Sequence, residues 1–565
     1  MKSFKIMLTV SLLAAGAMCA NAREIKKQQV NSKMKTMTLR EQIAQLFVIA
    51  CHPRQGEQHV KEVLKTLHEE QIGGIIWGEC SPEKYINLLN EMQSQVKIPL
   101  LVTIDAEWGV AMRLDSVVRF PQQLTLGAIQ NNDLIYDFGA EVARQCNEIG
   151  VHINFAPVVD VNNNPNNPVI NMRSFGENKY KVTEKAYACM KGMQDGGILT
   201  CLKHFPGHGD TDKDSHHELP VISHDRPRIN DIELYPFREL IKRGATGVMT
   251  AHLLIPALSS ENVPASQSKK ICMYLLQHEL KFRGLVITDG LEMQGAIYNR
   301  DTSKVAMYAL MAGNDILEIP IDVRKSIDEI ENAVLGKQIS KKLIQKKCKK
   351  ILEAKYDLGL FEGFKPLNPT GILERLNTEH AKSLRMKLAE ASLTLLSNEN
   401  VLPLSSEKIK YVEIGQGVAF KKQLTEYRAV DTFTIDADYS TESLDSLAAN
   451  FRNDETIIVC YHNSPRKRSY TNFNIEPSII DFVDNLAKNN KVILVFFGNP
   501  YSIANFKNPE RFAALIAAYD NSHEAQISSA KAIFGKLNFS GKLPVTINEY
   551  YKEDFGIVGA VLKVI

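Results

Sequence analysis

Three short stretches of this chain hold residue types whose spacing suits acid–base or nucleophilic chemistry. The most heavily loaded is Lys203-His204-Phe205-Pro206-Gly207-His208-Gly209-Asp210-Thr211-Asp212-Lys213-Asp214-Ser215-His216-His217. Its His and Asp content would suit a metal, yet it lacks a fixed helical His spacing such as H-E-x-x-H. It also reads as a solvated charged loop, or as an acid/base loop. In the last reading Asp214, two residues before His216, holds the imidazole in one tautomer and favours its protonated form. The second stretch is Leu285-Val286-Ile287-Thr288-Asp289-Gly290-Leu291-Glu292-Met293. Gly290 leaves the Asp289 carboxylate uncovered, so it could attack an electrophilic carbon such as an anomeric centre and form an ester. Taken alone, Asp289 would serve equally as a helix cap. In the third stretch Asp105 and Arg113, eight residues apart, could both reach a ligand rich in hydroxyl groups. Trp108 between them would stack on a sugar face or pack against a rim.

Such groups need a scaffold that ends several buried segments at one polar surface. Eight apolar runs are read as strands: 45–50, 74–78, 100–105, 152–157, 200–204, 247–252, 285–289 and 315–319. They are near-continuously apolar rather than alternating, as strands buried on both faces should be. Helical patterns at 133–149, 179–194 and 229–243 separate some of them, and eight strand–helix units over about 280 residues match a (β/α)8, TIM-like barrel. Asp105, Lys203-His204, His252 and Asp289 end strands three, five, six and seven. Ionisable groups directly after buried runs are costly unless they face a polar cavity, and the C-terminal mouth of a barrel is one. After residue 362 a proline-bearing linker and a helix at 378–392 lead into a smaller α/β sandwich domain, 391–565. Its strands are expected at 411–414, 456–461, 492–497 and 513–518, with Gly498-Asn499-Pro500 as a turn.

The chain carries 67 basic and 65 acidic side chains in 565 residues. Met1–Ala22 has the form of an export signal, with Lys2 and Lys5 ahead of an apolar run too short to span a bilayer. Without it the charges balance, which argues against nucleic acid or an anionic membrane as the main partner. No later run is long and apolar enough for a membrane helix. The cysteines left, 51, 80, 146, 189, 201, 272, 348 and 460, lie far apart and are expected as buried thiols.

Lys203-His204-Phe-Pro-Gly-His-Gly with Asp214-Ser215-His216, and Thr288-Asp289-Gly-Leu-Glu-Met, resemble glycoside hydrolase family 3, in particular its β-N-acetylglucosaminidase branch. Residues 391–404 and 540–546 resemble the family's second domain. The resemblance implies Asp289 as nucleophile and His216 as acid/base, partnered by Asp214. It implies Asp105, Arg113, Arg173, Lys203 and His204 as sugar-binding residues. The branch reads Glu-Gly-Gly-Arg where this chain has Glu107-Trp108-Gly109-Val110, so the outer pocket is not carried over. The expected activity is that of a retaining exo-β-N-acetylglucosaminidase acting on peptidoglycan fragments, exported to the periplasm, with no metal or cofactor. The alternatives are a β-glucosidase using a Glu of the second domain, such as Glu399 or Glu524, and a silent wall-glycan binding protein. Nothing in the sequence indicates an oligomeric state.

Overall fold

A computed structural model describes residues 21, 23–405, 408–435, 439–462 and 475–559, so the expected export signal lies outside the described residues but for Asn21. Eight parallel strands follow one another around a barrel: β1 (Phe47–Cys51), β2 (Gly74–Trp77), β3 (Leu101–Ile104), β4 (Ile153–Asn154), β5 (Leu199–Phe205), β6 (Gly247–Thr250), β7 (Leu285–Thr288) and β8 (Leu317–Glu318). The expected barrel is borne out. Ladders join β1 to β8 on one side and run through to β7 on the other. Between β7 and β8 no ladder is formed among the described residues; the bridge Ile287↔Ile316 and a few hydrogen bonds, such as Thr288 N to Ile316 O at 3.0 Å, join them. Asp315 fastens this seam: its carboxylate accepts from Val286 N at 2.9 Å and meets Lys347 and Lys350, both at 2.6 Å.

The strand residues are apolar on both faces because one face lines the barrel interior and the other meets the helices. Val102, Leu202, Val248, Val286 and Ile287 are fully buried. Each such side chain contributes about 1.5–3 kcal/mol relative to exposure. Helices start where a polar side chain can satisfy free N–H groups. Asn178 accepts from Tyr180 N and Lys181 N ahead of Lys179–Asp195, and Ser340 caps Lys341–Asp357. The pattern expected as one helix over 229–243 is two, Arg226–Asp231 and Leu234–Lys242. Pro236 lacks an N–H and is tolerated only in a first turn, so the helix restarts just before it.

The chain then runs through 363–371 and Glu379–Ser392 into a six-stranded sheet. Its strands are β9 (Thr394–Asn398), β10 (Lys408–Ile414), β11 (Ala429–Ile435), β12 (Thr456–His462), β13 (Lys491–Phe497) and β14 (Ala514–Ala517), in the order β11-β10-β12-β13-β14-β9. β9 alone runs antiparallel. Residues 498–500 are not a plain turn. Asn499 caps the short helix Pro500–Asn505 and reaches the barrel, donating from Nδ2 to Asn171 Oδ1 at 2.7 Å. The two domains share a small apolar core of Leu124, Met172, Tyr501 and Val545.

Candidate active site

At the C-terminal mouth of the barrel lies a cavity of ≈280 Å³. Asp105, Arg113, Arg173, Lys203, His204, His216 and Asp289, far apart in the chain, all line it. Asp214 stands behind His216 rather than on the wall.

One side of the cavity is an ion network. Asp105, the first residue past β3, meets Arg113 Nη2 at 2.7 Å and Lys203 Nζ at 2.8 Å. Burial opposes ionisation of Asp105, but Lys203 and Arg113 outweigh it and hold the carboxyl well below its ordinary range. Glu107, two residues on, takes Lys203 at 2.8 Å and a two-pronged contact from Arg173, whose Nη2 lies 2.6 Å and Nε 3.0 Å from its oxygens. Burial opposes its ionisation too, yet Arg173 and Lys203 bring its pKa down to about 2. Each cation is therefore fixed in place before any ligand arrives.

His204 is oriented from below. Its Nδ1 lies 2.7 Å from Asp160 Oδ2, and the backbone N–H groups of His204 and His208 donate to the same carboxylate. Its Nε2 is 3.3 Å from Arg173 Nη2. Asp160 accepts only and the guanidinium donates only, so Nδ1 carries the proton and Nε2 presents its lone pair.

Across the cavity Asp289 is partly buried, with Oδ1 accepting from Gly290 N at 2.9 Å. Burial works against its ionisation. The imidazoles of His204, His252 and His216, with the Gly290 N–H, outweigh burial and lower its pKa. His252, expected at the mouth, is instead fully buried behind this turn. Its Nε2 donates to Gly290 O at 3.0 Å, and its Nδ1 accepts from Ser266 Oγ at 2.8 Å. The ladder of β6 ends at Thr250, and the hydrogen bonds to Ser266 and Gly290 hold the ring where it does not line the cavity.

His216 is exposed on the loop after β5. Its Nδ1 and its backbone N both meet Asp214 Oδ1, at 2.7 and 2.9 Å. The hydrogen bond to Asp214 raises the His216 pKa against the opposing effect of burial. Burial resists ionisation of Asp214, but the His216 ring and N–H bring its pKa down to about 2. The loop is pinned by His208, whose Nδ1 lies 2.8 Å from Thr211 Oγ1 and whose Nε2 lies 3.1 Å from Ser215 Oγ. Burial lowers the His208 pKa to about 4, so this pin is a neutral ring. Glu107, Asp160, His208 and Glu318 were not singled out from sequence. Of these, Glu318 is an ionisable residue at the end of an apolar run, the signal that marked Asp105 and Asp289.

Trp108 is buried at the rim with the Arg119 guanidinium 5.4 Å from its ring, and it borders both this cavity and an adjoining one of ≈340 Å³. The second cavity also has Arg113, Arg173, Asn171 and Asn499 in its walls, so the second domain contributes there. Glu524 is paired with Arg385 at 2.6 Å and Glu399 is exposed. Among the described residues no carboxylate of the second domain lines either cavity. Among them, too, no three His, Cys, Asp or Glu side chains converge as a metal ion would need, and no helix is long and apolar enough to cross a membrane.

Residues 38–354 match the model of the glycosyl hydrolase family 3 N-terminal domain, and residues 393–556 that of its C-terminal domain. The chain is 29% identical over 557 residues to β-hexosaminidase A of Pseudoalteromonas piscicida, covering 86% of this chain and 91% of that protein. A β-hexosaminidase of Mycobacterium tuberculosis is 32% identical over 290 residues, 49% of this chain and 72% of its own. The solved family 3 β-N-acetylglucosaminidase from Paenibacillus sp. str. FPU-7 superposes with a TM-score of 0.77 at 29% identity, over 91% of this chain and 99% of that one. A β-glucoside phosphorylase shares the fold at 20% identity, with a TM-score of 0.77 over 92% and 96%.

Proposed function

The chain belongs to glycosyl hydrolase family 3, and on that footing we propose that it is a retaining exo-β-N-acetylglucosaminidase whose nucleophile is Asp289 and whose acid/base is His216. The observation that carries this reading is that Asp289 and the Asp214-held His216 border one cavity. In the first displacement Asp289 attacks C1 of the sugar while the His216 imidazolium protonates the leaving oxygen. In the second, neutral His216 takes a proton from the water that frees the sugar. A carboxylic acid must be tuned upward by about 2 units to stay protonated near neutrality, whereas an imidazole starts at about 6.5. Asp105, Lys203, His204, Arg173 and Arg113 seat the terminal sugar through its hydroxyl groups. The leaving group occupies the adjoining cavity, between Trp108 and Asn499. The substrates we assign are GlcNAc-terminated peptidoglycan fragments, met by an enzyme exported to the periplasm under the direction of Met1–Ala22. That assignment is supported by the form of the leader and by relatives named β-hexosaminidases.

A panel of aryl glycosides tests the reading. The N-acetylglucosaminide is expected to turn over well above the glucoside, and Asp289→Ala is expected to lower that rate on the order of 10⁴-fold or more. Preference for the glucoside, or an active Asp289→Ala enzyme, would overturn it. Product analysis in phosphate buffer is expected to give free sugar. Accumulation of sugar 1-phosphate would show phosphate arriving in place of water.

A further inference from the structure

β8 ends in Glu318, which borders the cavity shared by Asp289 and His216. The side chain is buried, and its Oε2 has no hydrogen-bond partner. Its backbone is fully engaged. The N–H donates to Thr288 Oγ1 at 2.9 Å and the carbonyl accepts from Leu291 N at 2.9 Å, so the residue is tied on both sides to the segment that carries Asp289. A buried polar atom left unbonded in a ligand cavity is unfavourable until a ligand satisfies it.

The charge on the group follows from what surrounds it. Lys203 is engaged by Asp105 and Glu107, Arg113 by Asp105 and Arg173 by Glu107. Among the described residues no Lys, Arg or His stands within ion-pair distance of Glu318. An anion here would be a third carboxylate in the neighbourhood of Asp105 and Asp289 without a counter-ion of its own. Burial, and then Asp105 and Asp289, push its pKa well above the ordinary carboxylate range.

We propose that Glu318 is a substrate-binding residue that acts as the neutral acid and donates its O–H to a hydroxyl oxygen of the sugar seated over Asp289. This rests on the glycosidase reading and adds to it a donor that carries no charge. The Lys and Arg donors on the wall are committed to Asp105 and Glu107, Ser215 is engaged by His208 and His216 is held by Asp214, while the ionised carboxylates there only accept. A sugar hydroxyl both donates and accepts, and a neutral carboxyl can answer it in both directions. Neutrality also leaves Asp289 without an added like charge beside it as it attacks C1.

The test compares Glu318→Gln, which keeps a donor at that position without an ionisable proton, with Glu318→Ala and with Glu318→Met, which keeps the length and removes the polar atoms. Thermal unfolding identifies folded variants, and Glu318→Met stands in if the cavity left by alanine unfolds the protein. Glu318→Gln is expected within about threefold of wild type in kcat/KM, while Ala and Met lose about 10-fold or more, mostly through KM. A Gln variant as impaired as Met would mean that an anion is required and would overturn the proposal. Wild-type kinetics in all three would overturn it as well. The comparison uses whichever aryl glycoside the wild-type enzyme turns over, and calorimetric titration with free N-acetylglucosamine and with glucose reads the same order without turnover. Failure of the N-acetylglucosaminide assignment would change the sugar used, not the ranking of the variants.

Discussion

At the scale of single residues, the proposed chemistry depends on neighbours that oppose burial. Asp105, Glu107, Asp214 and Asp289 sit where burial disfavours charge, and in each a specific cation, imidazole or N–H reverses the effect. The Asp214–His216 pair makes this testable through pH. The bond to Asp214 raises the His216 pKa, so the acid form persists to higher pH and is lost as pH climbs through that value. Asp214→Asn removes the carboxylate's charge, and the alkaline limb of kcat/KM is expected to move to lower pH. An unmoved limb in the rate profile would separate His216 from the acid role. With His216→Ala, substrates with poor leaving groups should lose about 10²–10⁴-fold while an activated leaving group loses far less. Rates across a series of aryl leaving groups measure the difference.

Among elements, the loops rather than the strands place the reactive atoms, and backbone contacts hold the loops. Gly209 lies so near the loop after β4 that a Cβ there would stand 1.9 Å from Val161 O. Gly209→Ala should therefore displace the segment that carries His216. The expectation is a folded protein by circular dichroism whose kcat on a poor leaving group falls at least about 10-fold. The barrel strands were legible because burial on both faces makes their sequences continuously apolar. Asp105 and Asp289 were legible because they break that pattern at its end. Glu318 breaks it in the same way inside the run 315–319, but a neighbouring Asp315 that serves the barrel seam masked it. β11 was missed because a half-exposed edge strand, Ala-Val-Asp-Thr-Phe-Thr-Ile, alternates with polar residues and lacks a buried run. Glu107 and Asp160 needed the fold itself. Their partners lie 66 and 44 residues away, and no local pattern announces a pairing across that distance.

For the whole molecule, the second domain braces the loop that presents Arg173. Glu177 accepts from Thr546 N at 2.9 Å and Thr546 Oγ1 at 2.6 Å, Asn162 donates to Tyr501 Oη at 2.9 Å, and Gly176 packs against Pro544. Glu177→Ala removes two of these bonds and should cost about 1–3 kcal/mol of docking. The expected signs are a raised KM and the splitting of one calorimetric unfolding transition into two. A second global property follows from Lys355, fully buried with Nζ donating to Gln45 Oε1 at 2.8 Å. Burial lowers its pKa from 10.5 to about 7, so between those values the unfolded chain binds the extra proton and stability rises with pH. Lys355→Met should flatten that rise in denaturant titrations, where the slope is at most about 1.4 kcal/mol per pH unit. The seam between β7 and β8 has a consequence for biosynthesis. The charge on the buried Asp315 carboxylate is matched by Lys347 and Lys350, which leave the ribosome last among the barrel's parts. A nascent chain that already contains every side chain we assign to sugar chemistry still lacks the cations that match this buried charge, and a ribosome stalled before residue 341 is expected to carry a weakened barrel.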